Sequence, residues 1–272
     1  MFFSDYHIHT SFSSDSQAPI EEVIKKAINL GLKEIAITDH IDYGFPSSEY
    51  TFLFDKLEYI ETINNLRKKY SNFINILIGA EIGMTPDSYE YNKNFVKDSC
   101  FDFIIGSIHV VDNIDVYENS FFEGRSQKQS YMRYFEYALE NIKKNDYFDV
   151  VGHLDYIYRY GQFENKSLKY IDYKDIIDEI LKIIIEKGKG IEVNTSGYKY
   201  KLNNIHPQID ILKQYKNLGG EIITIGSDAH STDYISDHFL EAYNSIKIAG
   251  FKYFTRFKNR KPYFYDLDKF MN

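Results

Sequence analysis

The stretch Asp5-Tyr6-His7-Ile8-His9-Thr10, with Asp15 shortly beyond it, sets the reading of the whole chain. A strand over Phe2 to His9 places residues two apart on one side, so His7 and His9 present their rings together, with Asp5 one step behind. Two imidazoles on one strand face, where the strand runs into a Ser-rich loop, suit a divalent metal. A core histidine beside a turn-capping one is the plain alternative, and the rest of the chain decides between them.

Working outward, Ala18 to Ile28 carries Pro19 near its start, Glu21 and Glu22 early and Lys25 and Lys26 late, matching a helix dipole, with Gly31 as a stop. Glu34 to Thr38 is a short apolar run ending in Asp39-His40, a buried parallel strand by its length and flanks. The unit then recurs. Ile74 to Ile78 ends in Gly79-Ala80-Glu81, and Phe101 to Ile105 in Gly106-Ser107-Ile108-His109. Phe148 to Val151 ends in Gly152-His153-Leu154-Asp155, and Gly190 to Val193 in Asn194-Thr195-Ser196. Glu221 to Ile225 ends in Gly226-Ser227-Asp228-Ala229-His230. Helices are expected over Phe52 to Tyr70, Gln127 to Lys144, Asp172 to Lys187, His206 to Leu218 and Thr232 to Ala249. Seven strands alternating with helices, each ending in groups able to bind a metal or a substrate, predict an α/β fold, a distorted seven-stranded TIM-like (β/α)7 barrel. Only closure gathers every strand end around one centre. The tail from Tyr253 to Asp266 reads as a short strand pair around Lys258-Asn259, placed to cover one barrel end. No linker or low-complexity segment interrupts residues 1–272, so one domain is expected.

Composition narrows the function. Hydrophobic residues make up 43% of the 272, enough for a substantial core, and the formal net charge is −8. The short basic runs Arg67-Lys68-Lys69 and Lys258-Asn259-Arg260-Lys261 read as solvated surface, so binding to a nucleic-acid backbone is disfavoured. No apolar run approaches a membrane span and no signal pattern opens the chain. The single cysteine, Cys100, excludes an internal disulfide and fits a reducing compartment. A soluble cytoplasmic protein is the expectation. Cys100 itself, beside the apolar run Phe101 to Ile105, reads as a small buried hydrophobe and not as a nucleophile.

The strand-end groups are His7, His9, Asp15, His40, Glu81, His109, His153, Asp228 and His230, taking six of the eight histidines. Nine nitrogen and oxygen donors exceed what one tetrahedral zinc needs, so two or three metals are implied. Mixed imidazole and carboxylate donors suit Zn, Mn or Fe and argue against calcium. Glu81 is the natural bridge between two metals. Closely spaced metals generate hydroxide at neutral pH and clamp both oxygens of an in-line displacement, a pairing best used in phosphate-ester hydrolysis.

Together these motifs resemble the PHP (polymerase and histidinol phosphatase) superfamily, over about residue 3 to residue 240. The chain length, Gly106-Ser107-Ile108-His109 and Asn194-Thr195-Ser196-Gly197 look like its stand-alone histidinol-phosphatase branch. The resemblance implies a trinuclear centre at the strand carboxyl ends. His7, His9, Glu81 and Asp228 would hold one metal, Asp15, His40 and His230 a second, and Glu81, His109 and His153 the third. Many superfamily members carry histidine where this chain has Asp15, which adds negative charge at that site. The implied reaction is hydrolysis of L-histidinol phosphate, in histidine biosynthesis, by a metal-bridging hydroxide with Glu81 beside it.

Charge on the phosphoryl oxygens calls for further cations, and Arg159 and Lys199 are the candidates, against plain surface roles. Asp42 is a candidate to protonate the leaving alkoxide or hold the amine of histidinol, against an ordinary loop aspartate. Asp42, Tyr43, Tyr117, Glu118 and Tyr158 lie in loops suited to an anionic, aromatic pocket. His206 is either a substrate contact or a surface histidine at a helix start. Asp5, Asp39 and Asp155 either orient ligand imidazoles or pair with lysines. The alternatives are a PHP phosphoesterase acting on small nucleotides or phosphotyrosine, a metal-stabilised binding subunit, and a C–N hydrolase lacking its usual lysine. Oligomeric state is not legible.

Overall fold

The computed structural model describes residues 3–47, 49–97, 100–161 and 163–270. Seven parallel strands stand side by side in chain order: β1 (Ser4–Ile8), β2 (Glu34–Ile37), β3 (Asn75–Gly83), β4 (Phe103–Ser107), β5 (Val150–Val151), β6 (Gly190–Asn194) and β7 (Ile223–Gly226). The last meets the first only at the carboxyl end. There Asp228 N donates to His7 O and His9 N to Ala229 O, each at 2.9 Å, so the barrel is nearly closed.

Apolar spacing places the helices outside. In α1 (Ile20–Asn29), Val23, Ile24 and Ala27 share the buried face behind glutamates in the first turn. Asp55 caps α2 (Lys56–Lys69) through Glu58 N, and Ser126 with Gln129 forms a capping box on α4 (Gln127–Lys144). The other long ones are α3 (Tyr89–Val96), α5 (Lys174–Glu186), α6 (Ile209–Asn217) and α7 (Phe239–Ile248), and Ser196–Lys199 forms a single helical turn. Among the described residues, no helix is long and apolar enough to cross a membrane.

Several boundaries differ from the sequence reading, each for a local reason. Phe2, the expected start of the first strand, lies outside the described residues. Between Asp5 and Ile8 the β1–β2 register shifts, breaking simple alternation. β3 continues past Ile78 because its pairing with β4 runs on from Gly79 to Gly83, putting Glu81 inside a strand and not after it. The expected helix from Thr232 instead starts at Phe239, after positive-φ breaks at Ser236 and His238. The one expected from His206 starts at Ile209, because His206 pairs with Asn194 and Asp155 accepts from Gln208 N. α3 was not anticipated. Neither was the hairpin Val110–Val111 with Ile114–Asp115, although Asp112-Asn113 between apolar pairs carries its turn signal.

The tail forms an antiparallel pair, β8 (Tyr253–Lys258) and β9 (Lys261–Asp266), turning at Asn259 and Arg260 with φ of 49° and 64°. It covers the amino end of the barrel. Phe257 is buried with Tyr6, Leu77, Phe103 and Val150, and its N–H donates to Tyr6 Oη at 2.9 Å. Arg256 pairs with Glu34 at 2.6 Å, Arg260 with Asp149, and Arg67 with Asp102. Arg67 and Arg260 are therefore not the free surface charge that their basic runs suggested. With this end of the barrel plugged, the expected metal donors gather at the opposite end.

Candidate metal centre and its cleft

At the carboxyl end the barrel brings the nine expected donors together. His7 and His9 come from the end of β1, His40 from beyond β2, Glu81 from β3 and His109 from beyond β4. His153 follows β5, and Asp228 and His230 follow β7. Glu81 is the hub. Its Oε2 lies 3.2 Å from His7 Nε2, 3.4 Å from His9 Nε2 and 3.2 Å from His40 Nδ1. Its Oε1 lies 2.9 Å from His153 Nε2 and 3.2 Å from His109 Nε2, and accepts from Ser107 Oγ at 2.7 Å. Asp228 Oδ1 is 3.7 Å from His7 Nε2 and 3.5 Å from His9 Nε2. Asp15 Oδ2 is 3.0 Å from His230 Nε2 and 3.7 Å from His40 Nε2.

Tetrahedral zinc with bonds near 2.0 Å spaces its donors about 3.3 Å apart. The donor separations here fall on both sides of that value. The residue groups able to converge on an ion include His7, His9 and Glu81; His9, His40 and His230; and Glu81, His109 and His153. His40 with Asp42 and His109 is another. His7 Nε2 and His9 Nε2 face each other at 3.0 Å, while their Nδ1 atoms meet Glu192 and Ser13. If each Nδ1 carries its proton, two lone pairs face one another, which a cation between them relieves. His40 Nδ1 and Glu81 Oε2 are buried without hydrogen bonds, again as donors to an ion would be.

The charges hold one another. Burial opposes ionisation of His7, but Glu192, Glu81 and Asp228 outweigh it and raise its pKa. His40 is pushed up to about 9, burial being outweighed chiefly by Glu81, Asp42 and Asp15. Burial likewise opposes charge on Glu81 and Asp228, yet the surrounding imidazoles hold both well below the carboxylate range. His9 goes the other way, lowered by burial and by neighbouring His230 and His40.

Behind the donors stand groups that orient them. Asp42, in the sequence reading an acid, an amine partner or an ordinary loop aspartate, accepts from His109 Nδ1 at 2.8 Å. Asp39 reaches His9 only through Ser13, accepting from Ser13 Oγ at 2.7 Å and from Thr10. Asp5 accepts from Ser227, Ser236 and the His7 backbone and touches no imidazole. Asp155 holds His206, which is not among the expected ligands, at 2.6 Å. None of the three pairs with a lysine among the described residues. Glu192, bound to His7, was missed. A lone carboxylate within Gly190-Ile191-Glu192-Val193-Asn194 was the available signal, since burying one costs heavily without a partner.

A cleft of about 600 Å³ opens over this centre. Arg159, buried in its wall, stacks between Tyr156 and Tyr200 at 4.6 and 4.2 Å from the ring centroids, with Nη2 3.7 Å from Asp228. Its Nε has no hydrogen-bond partner. Lys199, Tyr117, Glu118 and Asp115 line the cleft, Tyr117 being mostly exposed. Three expected contacts fall elsewhere. His206 is fully buried against Tyr158, held by Asp155 and off the lining, so it is neither a substrate contact nor a surface residue. Tyr158 is buried with it, and Tyr43 stacks on Tyr91 away from the lining.

Comparison with known proteins agrees with this geometry. The family model of the PHP domain matches residues 5–196. A probable histidinol-phosphatase of Clostridium acetobutylicum is 36% identical, with 90% of this chain and 92% of that protein covered. The histidinol-phosphatase of Lactococcus lactis is 33% identical, with 94% and 95% covered. A crystal structure of histidinol phosphate phosphatase from Lactococcus lactis, complexed with zinc, L-histidinol and phosphate, matches with a TM-score of 0.89 at 31% identity, covering 96% of this chain and 98% of that one.

Proposed function

The chain belongs to the PHP domain family, and from that premise we propose that it is a histidinol-phosphatase, hydrolysing L-histidinol phosphate to L-histidinol and phosphate. The observation that carries this reading is Glu81, whose two oxygens face separate histidine groups at the floor of a cleft walled by Arg159. The enzyme is a phosphoric monoester hydrolase of histidine biosynthesis.

Three divalent ions fit the donors: one at His7, His9, Glu81 and Asp228, one at Asp15, His40 and His230, and one at Glu81, His109 and His153. Zinc suits the imidazole-rich set and is the ion named in the Lactococcus lactis complex. Bound there, divalent ions would make hydroxide available near neutral pH and neutralise phosphoryl oxygens. Glu81 ties the first and third donor groups together, while Asp42 holds His109 in the orientation that turns Nε2 inward. Arg159 offers its unpaired Nε–H to a phosphoryl oxygen, and the Tyr156 and Tyr200 rings beside it hold the guanidinium in the cleft wall. Lys199 adds a second cation on the same wall. Asp115 and Glu118 present carboxylates to the ammonium and imidazole of the substrate, beside Tyr117. In this reading residues 1–272 act as one cytoplasmic domain with the hairpin as its floor.

Phosphate release from L-histidinol phosphate, nucleoside monophosphates and phosphotyrosine tests the reading. A strong preference for L-histidinol phosphate, abolished by chelation, is expected. Equal and weak turnover of every ester would overturn it.

A further inference from the structure

Glu192, in the middle of β6, is 1% exposed, and the only ion-pair partner shown for it among the described residues is His7. Burying a carboxylate is costly, so the groups it satisfies matter. Its Oε1 lies 2.6 Å from His7 Nδ1. Its Oε2 accepts from the His153 backbone N–H and from Asn194 Nδ2, each at 3.0 Å. Asn194 Oδ1 in turn accepts from Ser196 N–H at 2.9 Å and from Ser196 Oγ. Ser196 Oγ accepts from Arg159 Nη2. Every donor in this series points the same way, from Arg159 through Ser196 and Asn194 to Glu192.

Three donors converge on Glu192, so only an acceptor-only side chain satisfies them all. An apolar residue would strand them, and glutamine would set its own amide hydrogens against one of them. The fold also reserves the space. A Cβ at Gly226 would lie 2.4 Å from Glu192 Oε1 and 2.4 Å from His7 Cβ, so glycine there lets β7 pass the pair.

We propose that Glu192 is a positioning residue serving both halves of the site: it orients the metal-binding ring of His7 and, through Asn194 and Ser196, the guanidinium of Arg159. The second half rests on the phosphatase reading above; the first does not. One buried carboxylate thus sets the spacing between the metal donors and the cation that meets the phosphoryl group.

The test uses the whole protein with two readouts: zinc affinity by chelator competition, and binding of inorganic phosphate to the zinc-saturated form by calorimetry. Glu192→Gln is expected to weaken zinc by about 10- to 100-fold, the usual effect of removing a group that orients a ligand histidine. It is also expected to weaken phosphate, on the order of fivefold. Ser196→Ala is expected to leave zinc unchanged and weaken phosphate, with a rise in KM larger than the fall in kcat. The double variant should bind phosphate no worse than the weaker single one, as coupled residues do. Wild-type zinc affinity in folded Glu192→Gln, or strictly additive phosphate losses, overturns the proposal. If Glu192→Gln fails to fold by circular dichroism, Asn194→Ala decides the second half. Weakened phosphate with unchanged zinc supports the link, and unchanged phosphate removes it. Failure of the phosphatase reading shows separately, as absent wild-type turnover of L-histidinol phosphate, and leaves the zinc readout intact.

Discussion

Asp42 holds His109 by its Nδ1 edge at 2.8 Å, leaving Nε2 of that ring 3.2 Å from Glu81. Burial works against charge on Asp42, but His109 and His40 keep its carboxyl below the usual range, which favours its acceptor contact with His109. Asp42→Asn should lower metal affinity or turnover by about 10- to 100-fold. The loss should be equal for L-histidinol phosphate and an aryl phosphate, because the defect lies in His109. Spared hydrolysis of the aryl ester, whose leaving group needs no proton, would restore Asp42 as the general acid.

Glu81 touches His7, His9, His40, His109 and His153. Removing it should separate the donor groups and lower kcat/KM by more than about a hundredfold, roughly 2.7 kcal/mol of barrier. Kinetics of Glu81→Ala beside its bound-metal content are the check, and activity within about tenfold of wild type would sink the bridging role.

Arg159→Lys keeps a charge but loses the planar stack between Tyr156 and Tyr200 and the unpaired Nε–H. We expect kcat/KM to fall by about tenfold or more, with metal stoichiometry unchanged. Loss of metal in this variant would show that Arg159 serves the centre through Asp228 instead of meeting substrate.

Alkaline pH should expose the tyrosine-rich core. Burial pushes the Tyr147 phenol up to about 12, and Tyr137 to about 12 as well, against an ordinary value of 10.0. A raised folded value favours the neutral phenol, so this stability is fully present below pH 10 and is lost as pH rises through about 12. Each such tyrosine should remove about 1.4 kcal/mol per pH unit in that window. Urea unfolding midpoints across the range are the measurement. A flat profile between them would contradict the burial, and Tyr147→Phe should make the decline shallower.

Much of the barrel was legible because helix and strand signals are local. The α4 limits Gln127–Lys144 and the hairpin Tyr253–Lys258 with Lys261–Asp266 follow from periodicity, caps and a turn. The misread boundaries are those set by partners far along the chain. β3 runs to Gly83 because β4 pairs with it, and α6 starts late because Asn194 and Asp155 engage His206 and Gln208.

The candidate site divides the same way. Residue types at and just beyond strand ends were enough to name His7, His9, Asp15, His40, Glu81, His109, His153, Asp228 and His230 as candidate donors, because parallel strands deliver their last residues to one end wherever the barrel closes. Which edge of each ring faces inward, and what holds it there, came only from closure. Glu192 meets His7 across 185 residues and Asp42 meets His109 across 67, contacts that no local pattern encodes. The candidate donors are thus written in the strand ends, and the orientation of their rings in the packing of strands that lie far apart along the chain.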